Sequence, residues 1–135
     1  MVERGARTKG TQGTSRHMKY FNYSEFDSPD MPGSGHNMED DFLQMLDKAR
    51  EVSGIPYVIT SGFRTEDYND SINGVSDSSH LHGCAADIAC STSRDRFLII
   101  TGLLTAGFDR IGIGEDFIHV DNDWEKPEAV AWVYY

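Results

Sequence analysis

Ser78-Ser79-His80-Leu81-His82-Gly83-Cys84-Ala85-Ala86-Asp87-Ile88-Ala89 is the stretch on which the reading of this 135-residue chain turns. From Cys84 onward it is compact and apolar except at Asp87, the pattern of a buried central strand. A carboxylate in that setting is costly to bury unless a cation or several donors compensate it. Seven residues upstream stands His80, and far downstream Phe117-Ile118-His119-Val120-Asp121 supplies a second histidine beside a carboxylate. His80, Asp87 and His119 together are two imidazoles and one carboxylate, a donor set that suits zinc and leaves a fourth position open for water. Each residue also has a plainer reading: either histidine as a surface or hydrogen-bonded side chain, and Asp87 as the partner of an arginine.

Around this segment the pattern alternates helix and strand. Met38, Phe42, Met45, Leu46, Ala49 and Val52 fall on one helical face, which predicts a helix over residues 38–53 with Asn37 as N-cap and Gly54 as the stop. Residues 56–61 form a β-rich run closed by Gly62, and Thr65 can open a short helix. Thr92-Ser93-Arg94-Asp95 resembles a capping box before a helix with Phe97, Ile100 and Leu104 on one face, ended by Gly107. Three further short strands are predicted over 110–114, 117–121 and 129–134. This order implies one α+β domain with an antiparallel sheet, over residues 18–135. Residues 1–17 are basic, polar and poor in packing groups, and by composition form a disordered extension or an expression remnant.

The global numbers narrow the function. Twelve Lys and Arg against 22 Asp and Glu give a net charge of −10, which disfavours a nucleic-acid partner. No apolar run reaches the roughly 18 residues of a membrane span. The N-terminus lacks the apolar core of a secretory signal, so the expected location is the cytoplasm of the producing cell. Cys84 and Cys90 are too few for a disulfide framework and are expected to be reduced thiols, with Cys84 used for packing.

Three motifs then resemble one family. Ser78, His80, Gly83, Ala85 and Asp87 match the S-x-H-x-x-G-x-A-x-D pattern of the zinc D-Ala-D-Ala carboxypeptidases, and His119-Val120-Asp121 matches their later H-x-D. Ser61-Gly62-Phe63-Arg64-Thr65 is similar to their S-G-[YF]-R-T segment, with Asn69 and Gly74 at familiar places beyond it. The compact form is most similar to bacteriophage endolysin-type members.

The resemblance implies the fold of hedgehog-type and related cell-wall peptidases (the hedgehog/DD-peptidase fold), a small antiparallel sheet flanked by helices, and one zinc held on one face by His80, Asp87 and His119. It implies that Arg64 binds a substrate carboxylate or stabilises the oxyanion, a role that suits a fixed guanidinium. Ser78 matches a substrate-contacting position, although a capping serine would stand there equally well. Asp116, three residues before His119, resembles the acid-x-x-His arrangement of some branches and is the candidate general base. In a regular strand, however, His119 and Asp121 share a face, and Asp116 joins them only if the chain bends at Gly114. Asp121 is therefore read as the carboxylate that holds a ligand imidazole in its tautomer. His82 falls at a variable position of the motif.

The expected protein is a monomeric zinc peptidase acting on peptidoglycan stem or cross-link peptides at a D-Ala bond. If endolysin-like, it would act on the wall after release. An L-Ala-D-Glu endopeptidase of the same fold and an inactive zinc-stabilised module are the alternatives.

Overall fold

The computed structural model describes residues 18–134. The expected extension over 1–17 lies outside the described residues, as does Tyr135. The elements are α1 (Asp40–Ser53), β1 (Ile59–Ser61), α2 (Glu66–Ser71), β2 (Ala85–Ala89), α3 (Ser93–Thr105), β3 (Arg110–Ile113), β4 (Phe117–Asp121) and β5 (Val130–Val133). Short 3-10 turns at Tyr23–Phe26, Ser34–Asn37 and Ser79–His82 fill the connections. The fold is α+β, as the alternation of periods implies.

Helix α1 begins two residues later than the pattern suggests. Asn37 ends a 3-10 turn instead of capping the helix, and Glu39 takes the N-cap position. The reason is tertiary: the Glu39 amide donates to the Gly83 carbonyl at 2.9 Å, tying the helix start to the turn that carries His80. Gly54, at φ 71°, ends the helix in the left-handed conformation that glycine adopts without strain.

Helix α3 opens as its capping sequence predicts, with the Asp95 amide donating to Thr92 Oγ1 at 3.1 Å. Its buried face is different from the expected one. Ile99, Gly102 and Leu103 are buried, whereas Phe97 and Leu104 are 69% and 54% exposed. The cause is Gly102, which an apolar count passes over. A Cβ built there would run into Ser53 Oγ and the Ala49 carbonyl, so the absent side chain is what lets α3 lie on α1. Ser53 Oγ donates to the Leu98 carbonyl at 2.6 Å and lies 2.6 Å from the Tyr57 hydroxyl, sealing this contact. Burial pushes the Tyr57 phenol up to about 12.

The five strands lie in the order β1-β2-β4-β3-β5. All neighbours are antiparallel except β3 and β5, so the sheet is mixed rather than wholly antiparallel. Chain geometry explains this. β3 and β4 form a tight hairpin, closed by the Gly114 amide donating to the Phe117 carbonyl at 2.9 Å, so β4 ends beside the start of β3. Residues 122–129 carry the chain past that end, and β5 enters on the outer edge of β3 with Val130 opposite Arg110. It can only run parallel.

Alternation then gives the sheet two unlike faces. Ala86, Ile88, Ile118, Val120 and Ile111 turn into the core with Phe42, Leu46 and Leu103 of the helices. Ala85, Asp87, Phe117, His119, Asp121, Arg110 and Gly112 alternate with them along the same strands and face the other way.

The α1–α3 contact is testable. Gly→Ala inside a helix ordinarily gains up to about 1 kcal/mol, but Gly102→Ala should cost roughly 1–3 kcal/mol through overpacking. Urea denaturation would check this, and a more stable variant would show that the close approach is unimportant.

Candidate metal centre

The candidate site lies along one row of cross-strand neighbours. Ser61 of β1 is opposite Asp87 of β2, Asp87 is opposite His119 of β4, His119 is opposite Gly112 of β3, and Gly112 is opposite Trp132 of β5. Side chains directly opposite on one face are close neighbours, and here the row brings a carboxylate to an imidazole with His119 Nδ1 2.9 Å from Asp87 Oδ1. His80 enters from outside the sheet, on the 3-10 turn between α2 and β2. Its Nε2 lies 3.4 Å from the same Asp87 oxygen. One donor atom from each of His80, Asp87 and His119 lies within 4.8 Å of the others.

The surrounding bonds orient these donors. His80 Nδ1 is 2.8 Å from the Gly62 carbonyl, which fixes the proton on Nδ1 and leaves Nε2 as a lone pair directed at Asp87. His119 Nε2 is 2.8 Å from Asp121 Oδ2, which leaves Nδ1 for the centre. Asp121 is thus where strand periodicity puts it, holding the ring of His119. Its other oxygen accepts from Arg110 Nε at 2.6 Å and from the Asp123 amide at 3.1 Å. Arg110 NH1 in turn donates to the Pro127 carbonyl, and its guanidinium stands 5.2 Å from the centre of the Trp132 ring. Buried carboxylates retain their charge only with such partners.

Burial lowers the pKa of His80, disfavouring its charged form. Burial would also lower His119 and raise Asp87 and Asp121, but mutual hydrogen bonds and opposite charges outweigh it, so His119 is raised and both carboxylates are lowered. The pocket around His119 therefore favours positive charge. Two imidazoles, each with one nitrogen held by an oxygen, and one carboxylate in an environment that stabilises a cation fit the chemistry of a three-ligand zinc site.

Arg64 adjoins the same carboxylate. Its NH2 lies 3.6 Å from Asp87 Oδ2, while Nε donates to Ser61 Oγ at 3.1 Å and NH1 to Asn69 Oδ1 at 3.2 Å. The arginine-partner reading and the metal reading of Asp87 thus use different oxygens. Ser78 lines the cleft, and its Oγ accepts from the His80 amide at 3.3 Å, the capping arrangement. Arg64, Ser78, His80, Asp87, His119 and Asp121 all line one cleft of about 410 Å³.

Asp116 is not among its lining residues. It stands exposed at the tip of the β3–β4 hairpin, with its carbonyl accepting from the Cys90 amide at 2.9 Å. The bend that would bring it to His119 is absent, because Ala89 through Ala85 pair without interruption with Phe117 through Asp121. His82 is exposed, and Cys84 and Cys90 are buried thiols outside any disulfide. The sequence reading missed Arg110, Lys126, Trp132 and Tyr134, which also line the cleft. Period-two alternation could have found three of them: Arg110 falls two residues before Gly112, and Trp132 and Tyr134 two apart on the last strand.

Residues 6–121 match the model of the family described as Peptidase M15. The chain belongs to that family, whose members are zinc metallopeptidases. A search of curated proteins gives no significant match.

The Arg110–Asp121 pair yields a prediction. Both side chains are almost fully enclosed, so Arg110→Ala leaves a buried carboxylate without its cation and should cost about 3–5 kcal/mol. Arg110→Lys should recover only part of this, because one ammonium cannot reproduce the guanidinium's hold on both Asp121 and Pro127. Equal denaturation midpoints for all three proteins would show that Asp121 needs no such partner.

Proposed function

We propose that the cleft is the active site of a zinc peptidase that hydrolyses peptidoglycan stem or cross-link peptides at a D-Ala bond, as a carboxypeptidase or endopeptidase. His80 Nε2, Asp87 Oδ1 and His119 Nδ1 would hold one zinc. The observation that carries this reading is the convergence of those donors beside a fixed guanidinium in a single cleft. A bound zinc would supply Lewis acidity for activating water and polarising the scissile carbonyl.

The rest of the chemistry belongs to the chain. Arg64 is held at all three of its nitrogens by Ser61, Asn69 and Asp87, so its charge is in place before substrate arrives. A guanidinium fixed in this way stabilises a substrate carboxylate, or the oxygen that gains charge as the carbonyl is attacked, without reorganising. Arg64, Arg110 and Lys126 face Asp87 and Asp121 in the lining, so the cleft does not share the acidic excess of a protein of net charge −10. That balance suits a short peptide bearing carboxylates. The Gly62 carbonyl and Asp121 keep both imidazoles in the tautomer that presents a lone pair to the centre.

Digestion of defined muropeptides, with the products identified by mass spectrometry, tests the reading and names the bond. Loss of D-Ala or scission beside it is the expected result, together with about one zinc per chain by elemental analysis. Cleavage between L-Ala and D-Glu would move the specificity to the alternative endopeptidase. Stoichiometric zinc with no cleavage across wall types would favour the inactive module.

Two variants separate the sequence-derived catalytic candidates by position. Arg64→Lys should retain zinc while kcat/KM falls about 10²-fold, the scale of losing one preorganised donor. Asp116→Ala, at the exposed hairpin tip, should retain zinc and turn over within about twofold of the parent, like most changes away from a site. A collapse of turnover in Asp116→Ala would return the general base to that residue.

A further inference from the structure

The hydrogen-bonding groups of the cleft are nearly all committed to one another. Asp87 faces both histidines and Arg64, and Asp121 is shared between His119 and Arg110. Lys126 donates to the Asp77 carbonyl at 2.8 Å and to Ser79 Oγ at 3.0 Å, and its third direction is toward Asp123. Ser78 Oγ is engaged with the backbone of its own turn. Tyr134 stands apart from this network. Its ring stands edge-on to that of Trp132, 6.3 Å away, and an indole N–H can only donate, so this neighbour does not use up the phenol's own O–H as a donor.

The placement of the Tyr134 ring follows from the sheet. Gly112 stands between His119 and Trp132 in the row of neighbours and contributes no side chain. A Cβ built at Gly112 would lie 2.7 Å from Trp132 Nε1 and 2.7 Å from Tyr134 Cε2, so both rings occupy the space a side chain would fill. They lean toward the centre: the Trp132 and Tyr134 rings are 5.6 Å and 6.5 Å from the ring of His119. Phe117, 5.1 Å from Tyr134, supports the ring from the β4 side. Tyr134 lines the cleft together with Asp87 and Arg64. The Tyr134 amide donates to the Ile113 carbonyl at 2.9 Å, which anchors its backbone to the sheet.

We propose that Tyr134 is a catalytic residue whose O–H donates a hydrogen bond to the scissile carbonyl oxygen as that oxygen gains negative charge. This rests on the peptidase reading of the cleft. In the hydrolysis, a water oxygen bonds to the carbonyl carbon, the C–N bond breaks and the leaving amine takes up a proton. Tyr134 keeps its own proton throughout and acts by electrostatic stabilisation alone. Arg64 and Tyr134 line the same cleft from different parts of the sheet, one after β1 and the other after β5, so the developing charge is met from two directions.

The test compares the parent, Tyr134→Phe and Tyr134→Ala on a D-Ala-D-Ala-terminated peptide, with zinc content measured in each. It also compares their affinities for a phosphinate analogue of that peptide, whose tetrahedral anion mimics the attacked carbonyl. Tyr134→Phe keeps the ring and its contacts, so zinc content and KM should stay at parental values. Its kcat should fall about 10²-fold and phosphinate affinity should weaken in parallel. If Tyr134→Phe retains kcat and phosphinate affinity within twofold while Tyr134→Ala does not, the ring alone matters and the proposal is wrong. If the parent cleaves neither this peptide nor any muropeptide, the peptidase reading fails, and the proposed role of Tyr134 fails with it.

Discussion

The pairing of β2 with β4, which sets Asp87 opposite His119, is the constraint on which the rest depends. A slip of one residue along an antiparallel pair turns every side chain to the other face. Here it would send both donors into the core and bring Ile88 and Ile118 out to solvent. Those isoleucines, with Ala86 and Val120, are fully buried against the helices. Burying each large aliphatic side chain contributes about 1.5–3 kcal/mol. The apolar face therefore fixes the geometry of the polar one: the energy that holds the donors in register is hydrophobic, although none of the donors is.

On the polar face the organising theme is shared charge. Asp87 divides its two oxygens between the histidines and Arg64, and Asp121 divides its own between His119 and Arg110. Each buried carboxylate thus has a cationic partner besides its imidazole, which is the condition under which buried charge is tolerated. The protein's large acidic excess lies elsewhere, while the cleft gathers Arg64, Arg110 and Lys126. Net charge alone gave no indication of this local balance.

Much of the site was legible because its chemistry is local in the sequence. Asp87 stood out as a carboxylate in an apolar strand, and the H-x-D spacing put His119 and Asp121 on one face by simple alternation. What could not be read depended on tertiary placement. Asp116 followed a pattern of spacing, and only the uninterrupted β2–β4 ladder shows that it ends at a hairpin tip. The α3 face was misjudged because Gly102 contributes by lacking a side chain, a property invisible to a count of apolar groups. The parallel pairing of β5, and with it the aromatic wall of the cleft, follows from where β4 ends relative to β3, which no single segment encodes.

The order in which the chain can close has a bearing on the site. The β3–β4 hairpin is joined by a two-residue turn, so His119 reaches its strand partner Gly112 by short-range contacts alone. Asp87 and His119 are separated by 32 residues, with helix α3 between them, and their encounter waits on closure of that longer loop. His80 joins from the turn before β2, where the Glu39–Gly83 bond also fastens the start of α1. The three donors thus come from segments that meet only when the hairpin has docked on β2. A cation bound by all three would clasp β2 and the turn before it to β4, strands adjacent in the sheet but far apart along the chain, and act as a latch on the finished topology.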